Sequence, residues 1–479
     1  MRTVARLLAV VALAALFLGN PARAADFSPA PWLEDLAQLR DAMSAGYANL
    51  EWQANRGLDL PAVYSLAQGR LRRAQDEFQA RRALDRFLES FGDGHIEIHW
   101  PAPQGRAVGG QASEPLCARL GYSPVNDDGA IATRLPGFRP VGAQDAPLRA
   151  GIVDVTGRRI GVLRLPLFSP TGFPSLCERL ARQQSLRPDS PCDARCEDRF
   201  SHRADAAFAG EMQAAVTAVK AAGAQVLLVD VADNGGGDDS AVALARLLTA
   251  KPMPAPRVGF LRTREWTAEF AREQAEIQVG LTQTHGPEHD TLARYDAALA
   301  AAEADSTKPC DRSPLWEGRT ISCSAIVLGL LFTGGLSPEP ADRRDGPWAE
   351  TISGQSRFPS SAALWLGPVI VLVDGGSASS SELFAALMQD RHAALILGAP
   401  TFGAGCGHMT GAEPIVLRHS GARVSFPDCV RLRADGSNEV AGVQPDLLIG
   451  FKKSDAPAER MNRLLHALPH AVARAVAQR

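Results

Sequence analysis

The chain has 479 residues, 46% of them apolar and 22% charged, with a formal net charge of -3, enough for two or three domains and a large buried core. That balance provides no whole-chain field to hold nucleic acid or an anionic membrane, and the length excludes a small scaffold held by disulfides alone. Lysine occurs only at 220, 251, 308, 452 and 453, which restricts where a catalytic lysine can stand.

Residues 1–24 pair Arg2 and Arg6 with an apolar run from Leu7 to Leu18 and then reach Ala22-Arg23-Ala24. This is the pattern of a secretory signal peptide cut after Ala24, its apolar run shorter than the roughly 20 residues that cross a bilayer. An exported chain, periplasmic or secreted, with no stable membrane span after cleavage is expected. Eight cysteines, at 117, 177, 192, 196, 310, 323, 406 and 429, form an even set suited to disulfides in that compartment. Local spacing favours Cys310 with Cys323 and Cys406 with Cys429. Zinc is the weaker reading, because Cys192 and Cys196 lack a second pair at finger or ribbon spacing.

From Trp32 to Ser90, apolar residues such as Leu33, Leu36, Leu39, Met43, Leu60, Val63 and Leu71 recur every three to four positions, which predicts a helical domain over 25–100. Ile96 and Ile98 alternate with Glu97 and His99, predicting a strand that starts near His95. Residues 101–150 read as a linker with short strands, opening on the Pro- and Gly-rich run 101–110. Over 151–450, short apolar runs (Ile160–Leu165, Val226–Val231, Pro368–Val373, Ala393–Leu397) alternate with helical stretches at Ala204–Ala222 and Ser380–Gln389. That is an α/β core with buried strands, interrupted by insertions near 168–205 and 266–304. Residues 451–479 predict a C-terminal amphipathic helix packed on the core.

The most informative stretch is Val371 to Gly407, VLVDGGSASSSELFAALMQDRHAALILGAPTFGAGCG. A strand ends at Asp374, two glycines turn the chain and a serine cluster opens a helix, where free backbone N–H groups can stabilise an anion. Taken alone, such serines are ordinary helix caps. Together with Asp230 to Gly237 (DVADNGGG) and Glu439 to Asp446 (EVAGVQPD), the stretch resembles the S41 serine peptidases, the family of the C-terminal processing proteases and tricorn-core-like enzymes. The motifs stand in the family's order over residues 85–100 and 150–450.

The resemblance implies a crotonase/ClpP-like α/β catalytic core preceded by a helical domain. It places the nucleophile on Ser379, with Ser377, Ser380 and Ser381 as capping or packing residues. The processing-protease branch takes its base from a lysine in TFGKG, where this chain reads Thr401-Phe402-Gly403-Ala404-Gly405, so that dyad is excluded. A second branch uses serine, histidine and glutamate. Its D-x-H segment matches Asp93-Gly94-His95, and its glutamate lies about sixty residues past the nucleophile, where Glu439 stands.

A serine hydroxyl needs a neutral imidazole to take its proton, and a carboxylate behind the ring fixes the tautomer. His95 is therefore the expected base, with His408 in reserve, and Glu439 the expected orienter. Activity should then fall on acidification through about pH 6 to 7. The resemblance assigns the oxyanion donors to the backbone of Gly236, Gly237 and Ser380.

Rival readings are weaker. His95, Glu97 and His99 on one strand face could hold a metal, but no third ligand is fixed nearby in sequence, and DVADNGGGDD lacks the twelfth-position glutamate of a calcium loop. No cofactor or metal is called for. Residues 101–150 are too few for a PDZ domain. The function expected is an exported serine endopeptidase acting on protein or peptide substrates through an acyl-enzyme; the alternative is a non-catalytic binding protein on the same fold, taking peptides or hydrophobic ligands.

Overall fold

The structure is a computed structural model that describes residues 27–101, 114–339, 346–358, 362–452 and 454–478. The expected signal peptide, its cleavage site and most of the Pro- and Gly-rich linker lie outside the described residues. Four helices come first: α1 (Ala30–Gly46), α2 (Leu50–Asn55), α3 (Leu60–Arg73) and α4 (Glu77–Glu89). Aspartates start two of them, the Asp59 carboxylate accepting from Ala62 N–H and Asp76 from Gln79 N–H, the usual way to satisfy free donors in a first helical turn.

The faces of these helices bury Leu36, Leu39, Met43, Leu71, Leu84 and Phe87, but later chain completes that core: Leu315, Trp316, Leu417, Ala422 and Val424 pack into it. The helical unit is therefore not closed within its own stretch of sequence. The strand Glu97–His99 pairs antiparallel with Arg423–Ser425, which pairs in turn with Ile415–Val416. This pairing anchors the segment that carries His95.

The main sheet has seven strands: β1 (Arg139–Val141), β2 (Arg149–Val155), β3 (Arg158–Arg164), β4 (Val226–Asp230), β5 (Val369–Val373), β6 (Leu395–Gly398) and β7 (Leu447–Leu448). They lie side by side in sequence order, antiparallel from β1 to β3 and parallel from β3 to β7. Every residue of β4 and β5 is buried, as parallel strands covered on both faces must be.

Alternate side chains serve the two faces. Leu227, Val229, Val371 and Val373 pack against α5 (Ala194–Ala221), α6 (Ser240–Leu247) and the helix Ser380–Asp390. Leu228, Ile370, Leu372 and Leu397 meet Leu464, Leu468 and Val472 of the C-terminal helix Pro457–Ala477. α5 starts ten residues earlier than the apolar periodicity indicates, because the Asp193 side chain caps the Cys196 N–H at 2.9 Å inside the cysteine-rich segment.

The second insertion is a helical hairpin, α7 (Arg264–Gln283) and α8 (Pro287–Ser306). It buries Trp266, Phe270, Ile277 and Leu292 against a small antiparallel sheet of Arg257–Leu261, Ile326–Phe332 and Cys429–Arg431. Four disulfides join Cys117 to Cys177, Cys192 to Cys196, Cys310 to Cys323 and Cys406 to Cys429. Among the described residues no helix is long and apolar enough to cross a membrane.

Candidate active site

β5 delivers the chain to Asp374, and the turn that follows is tied down by two of its serines. Ser377 Oγ donates to the Val231 carbonyl at 2.8 Å and Ser381 Oγ to the Asn234 carbonyl at 2.7 Å. Both hydroxyls are thereby committed to holding the serine turn against the end of β4. Between them Ser379 sits at φ 54° and ψ -115°, a region that costs a non-glycine residue about 1–3 kcal/mol and persists only where its surroundings impose it. It stands immediately before α9 (Ser380–Asp390), the sharp strand-to-helix elbow that presents a nucleophile.

Two buried groups impose that backbone. Ser379 N–H donates to Glu382 Oε2 at 3.0 Å, and the Ser379 carbonyl accepts from Arg431 Nη2 at 3.0 Å. Glu382, fully buried, also receives Thr401 Oγ1 at 2.6 Å, Gly403 N–H at 2.7 Å and Ala404 N–H at 2.8 Å. One carboxylate thus fixes both the serine elbow and the loop 401–404, and its burial raises its pKa despite those bonds.

That loop holds His95. The Ala404 carbonyl lies 2.6 Å from His95 Nδ1; a carbonyl only accepts, so Nδ1 carries the proton and Nε2 keeps its lone pair. Burial, helped by the positive charge of Arg431, lowers the His95 pKa to about 4, so the ring is neutral at ordinary pH. A glycine is needed at 407, at φ 89°, where a Cβ would stand 3.1 Å from the ring's Cε1 and Nε2. His408 lies outside this arrangement, its Nε2 reaching the His95 carbonyl at 3.0 Å.

Asp93 shapes the approach rather than the imidazole. Its carboxylate takes the His95 backbone N–H at 3.1 Å, Tyr47 Oη at 3.0 Å and Asn49 Nδ2 at 2.9 Å, and burial raises its pKa to about 6. Between them, Gly94 has no room for a side chain, since a Cβ would overlap the Phe402 ring. His99 turns away and meets Glu97 at 3.1 Å. His95, bonded to Ala404 instead, does not join that pair, and the described residues hold no group of three or more candidate metal ligands.

Two placements differ from the sequence expectation. Glu439, 1% exposed, does not reach His95: Arg431 Nε donates to its Oε2 at 2.8 Å and Arg431 Nη2 to its Oε1. A buried guanidinium matches a carboxylate with two parallel bonds, which an imidazole cannot offer, and it is the Ala404 carbonyl that meets His95 Nδ1. Nor is the Ser379 hydroxyl hydrogen-bonded to His95 in the resting site. What gathers the two is their common surroundings, Ala404, Glu382 and Arg431.

The second difference concerns the oxyanion donors. Gly236 N–H is taken by the side chain of buried Asn234, Oδ1 at 2.8 Å, while Asn234 Nδ2 holds the Leu165 carbonyl at 2.8 Å. Gly236 contributes space instead, for a Cβ there would stand 2.6 Å from Ser379 Cβ and 3.0 Å from Ser380 N. Gly237, at φ 136°, is pressed against Phe168, whose carbonyl a Cβ would strike. Phe168 pairs with its neighbours, Phe168 N–H donating to the Gly236 carbonyl and Asp238 N–H to the Phe168 carbonyl. The N–H groups of Ser380 and Gly237 have no partner among the described residues.

Sequence reasoning missed Arg431 and Glu382. A signal for Glu382 existed, because a glutamate three residues after a serine helix start is a recognised capping pattern. Arg431 is one arginine among many, and its position depends on strand pairing far from the motifs.

A strained serine at a helix start, a neutral histidine with one tautomer and free backbone donors are the parts that a serine-hydrolase type of site needs, here on an α/β core. Comparison with known proteins agrees in kind. The family model described as Peptidase family S41 matches residues 159–449, and the chain belongs to that family. Among solved structures, mature CPAF gives a TM-score of 0.57 at 15% identity, covering 94% of this chain and 98% of that one. The complex of mature CPAF with lactacystin gives 0.55 at 16% identity, covering 94% and 99%. The photosystem II D1 C-terminal processing protease gives 0.33 at 14% identity, covering 91% and 98%. At such identities the CPAF likeness is one of fold.

Proposed function

We propose that this protein is an exported serine endopeptidase in which Ser379 is the nucleophile and His95 the general base. The observation that carries the reading is His95 itself, neutral and held as the Nδ1–H tautomer by the Ala404 carbonyl. Its Nε2 lone pair is then the acceptor for the Ser379 proton as Oγ attacks a peptide carbonyl. The hydroxyl must rotate or shift into hydrogen-bond reach when substrate arrives, as resting sites commonly require.

As the tetrahedral intermediate forms, its oxygen takes the N–H of Ser380 at the start of α9, with the N–H of Gly237 as second donor. The imidazolium returns its proton to the leaving amine, the acyl-enzyme remains on Ser379, and a water activated by the same Nε2 releases the product. Glu439 acts at one remove: by neutralising Arg431 it lowers the cost of placing a second positive charge on His95. Export is supported by the four disulfides, which persist in oxidising compartments.

Digestion of a proteome-derived peptide library, with products identified by mass spectrometry, tests the reading. Internal cleavages by the wild type that vanish with Ser379→Ala are expected. Tight retention of peptides without any cleavage would favour the binding-protein alternative.

A further inference from the structure

The turn that supplies Gly236 and Gly237 continues into Asp238 and Asp239, and both line a cavity of about 500 Å³. Gly236 faces Ser379, and two residues of chain advance at most about 7 Å. The cavity therefore begins within side-chain reach of the reacting carbonyl. Its lining includes the loop Ser169–Thr171, beside the Phe168 that is bonded to the glycine turn.

The walls combine two chemistries. Tyr122, Phe200 and Phe358 supply aromatic surface, while Asp238, Asp239 and Glu197 supply carboxylates. The cavity's own arginines are committed: Arg357 holds Asp205 at 2.7 Å, and Arg119 donates to the carbonyls of Glu114, Pro188 and Ser190. By contrast, the Asp238 carboxylate has Ser240 as its one partner among the described residues, taking the Ser240 N–H at 2.9 Å. The Asp239 carboxylate has no hydrogen-bond partner among the described residues, its backbone carbonyl alone accepting from Val242 and Ala243.

The cations in its neighbourhood, Arg431, Arg246 and Arg357, are each engaged elsewhere, by Glu439, by the carbonyls of Met253 and Pro338, and by Asp205. A second observation adjoins Asp239. Gln355, 3% exposed, has neither its amide oxygen nor its nitrogen bonded among the described residues. Its Nε2 and the Asp239 carboxylate converge on one point beside Gly334. Buried polar groups are normally satisfied, so an orphaned amide next to an unpaired carboxylate marks a place where something polar completes the set.

We propose that this cavity is the subsite for a basic side chain of the substrate, arginine or lysine, close to the scissile bond. The methylene stem packs along Tyr122, Phe200 and Phe358, where a cation also gains from the ring faces. The charged head meets Asp238 and Asp239, beside the buried Gln355 amide. This inference rests on the peptidase reading of Ser379 only for where the scissile bond lies.

The test uses peptides identical except for Arg, Lys, Ala or Glu at one position flanking the cleavage site. At one such position, kcat/KM for Arg or Lys should exceed that for Ala by about tenfold or more, with Glu poorest. Asp239→Asn should cut the Arg-to-Ala ratio to less than about threefold, and Glu197→Lys, on an exposed helical turn, should lower it in the same direction should Asp239→Asn fail to fold. Binding of the same peptides to Ser379→Ala, read by fluorescence anisotropy, should follow the same order. Cleavage with no basic preference, or a ratio untouched by both variants, overturns the subsite and leaves the peptidase reading standing. Charge-selective binding to Ser379→Ala without any turnover by the wild type supports the subsite and overturns the peptidase reading.

Discussion

His95 has an environment that its motif does not reveal. A histidine in a D-x-H segment suggests an ordinary imidazole titrating near pH 6 to 7, whereas burial lowers this one to about 4. Because the neutral ring is the base, kcat/KM should hold on acidification and fall only as pH drops through about 4. A pH–rate profile whose acid limb stays at 6 to 7 would contradict this. Stability carries a linked signature. Between its ordinary 6.5 and about 4, the unfolded chain binds the His95 proton and the fold does not, so the fold loses stability as pH falls through that window. Asp93 acts oppositely, because its pKa rises from 3.8 to about 6 and the fold takes up that proton first. His95→Gln removes one side of this balance. Its urea midpoint relative to the wild type should therefore shift in the variant's favour from pH 6.5 to 4, and a constant difference would refute the assignment.

Among elements, the strand Cys429–Arg431 illustrates what sequence can and cannot disclose. The serine turn is legible as a local strand-to-helix device, and the glycine turn and the D-x-H segment are legible as short local motifs through the family resemblance. The partners of Glu439 were not legible. Spacing from the serine brings it to the site, but which cation meets it depends on Arg431, placed by pairing between Cys429–Arg431 and Arg257–Leu261. The two side chains are 4% and 1% exposed, so Arg431→Met leaves a buried carboxylate unpaired and should cost about 3–5 kcal/mol in urea unfolding. Arg431→Met combined with Glu439→Leu should recover a large part of that loss. Additive losses, or single variants within about 0.5 kcal/mol of the wild type, would show that the pair is not coupled. Gly237→Ala should impair turnover through a different element, since its new methyl group meets the Phe168 backbone and must displace the glycine turn beside Ser379.

Across the whole molecule, the site is assembled from segments more than 300 residues apart, and covalent ties hold them in place. Cys406–Cys429 joins the loop beside His95 to the strand bearing Arg431, whereas Cys310–Cys323 lies by the helical unit. Each should contribute about 2–4 kcal/mol to stability. Their effects on activity should differ: well below the unfolding temperature, the Cys406→Ala, Cys429→Ala double variant should lose most of its turnover and the Cys310→Ala, Cys323→Ala variant little, and equal losses would contradict this account. The central claim concerns a single oxygen, and the most direct measurement is covalent labelling by a fluorophosphonate probe followed by mass-spectrometric mapping of the modified peptide. The account predicts one adduct, on Ser379, absent from Ser379→Ala and strongly reduced in His95→Ala. An unlabelled folded wild type, or an adduct on Ser377 or Ser381, would contradict it.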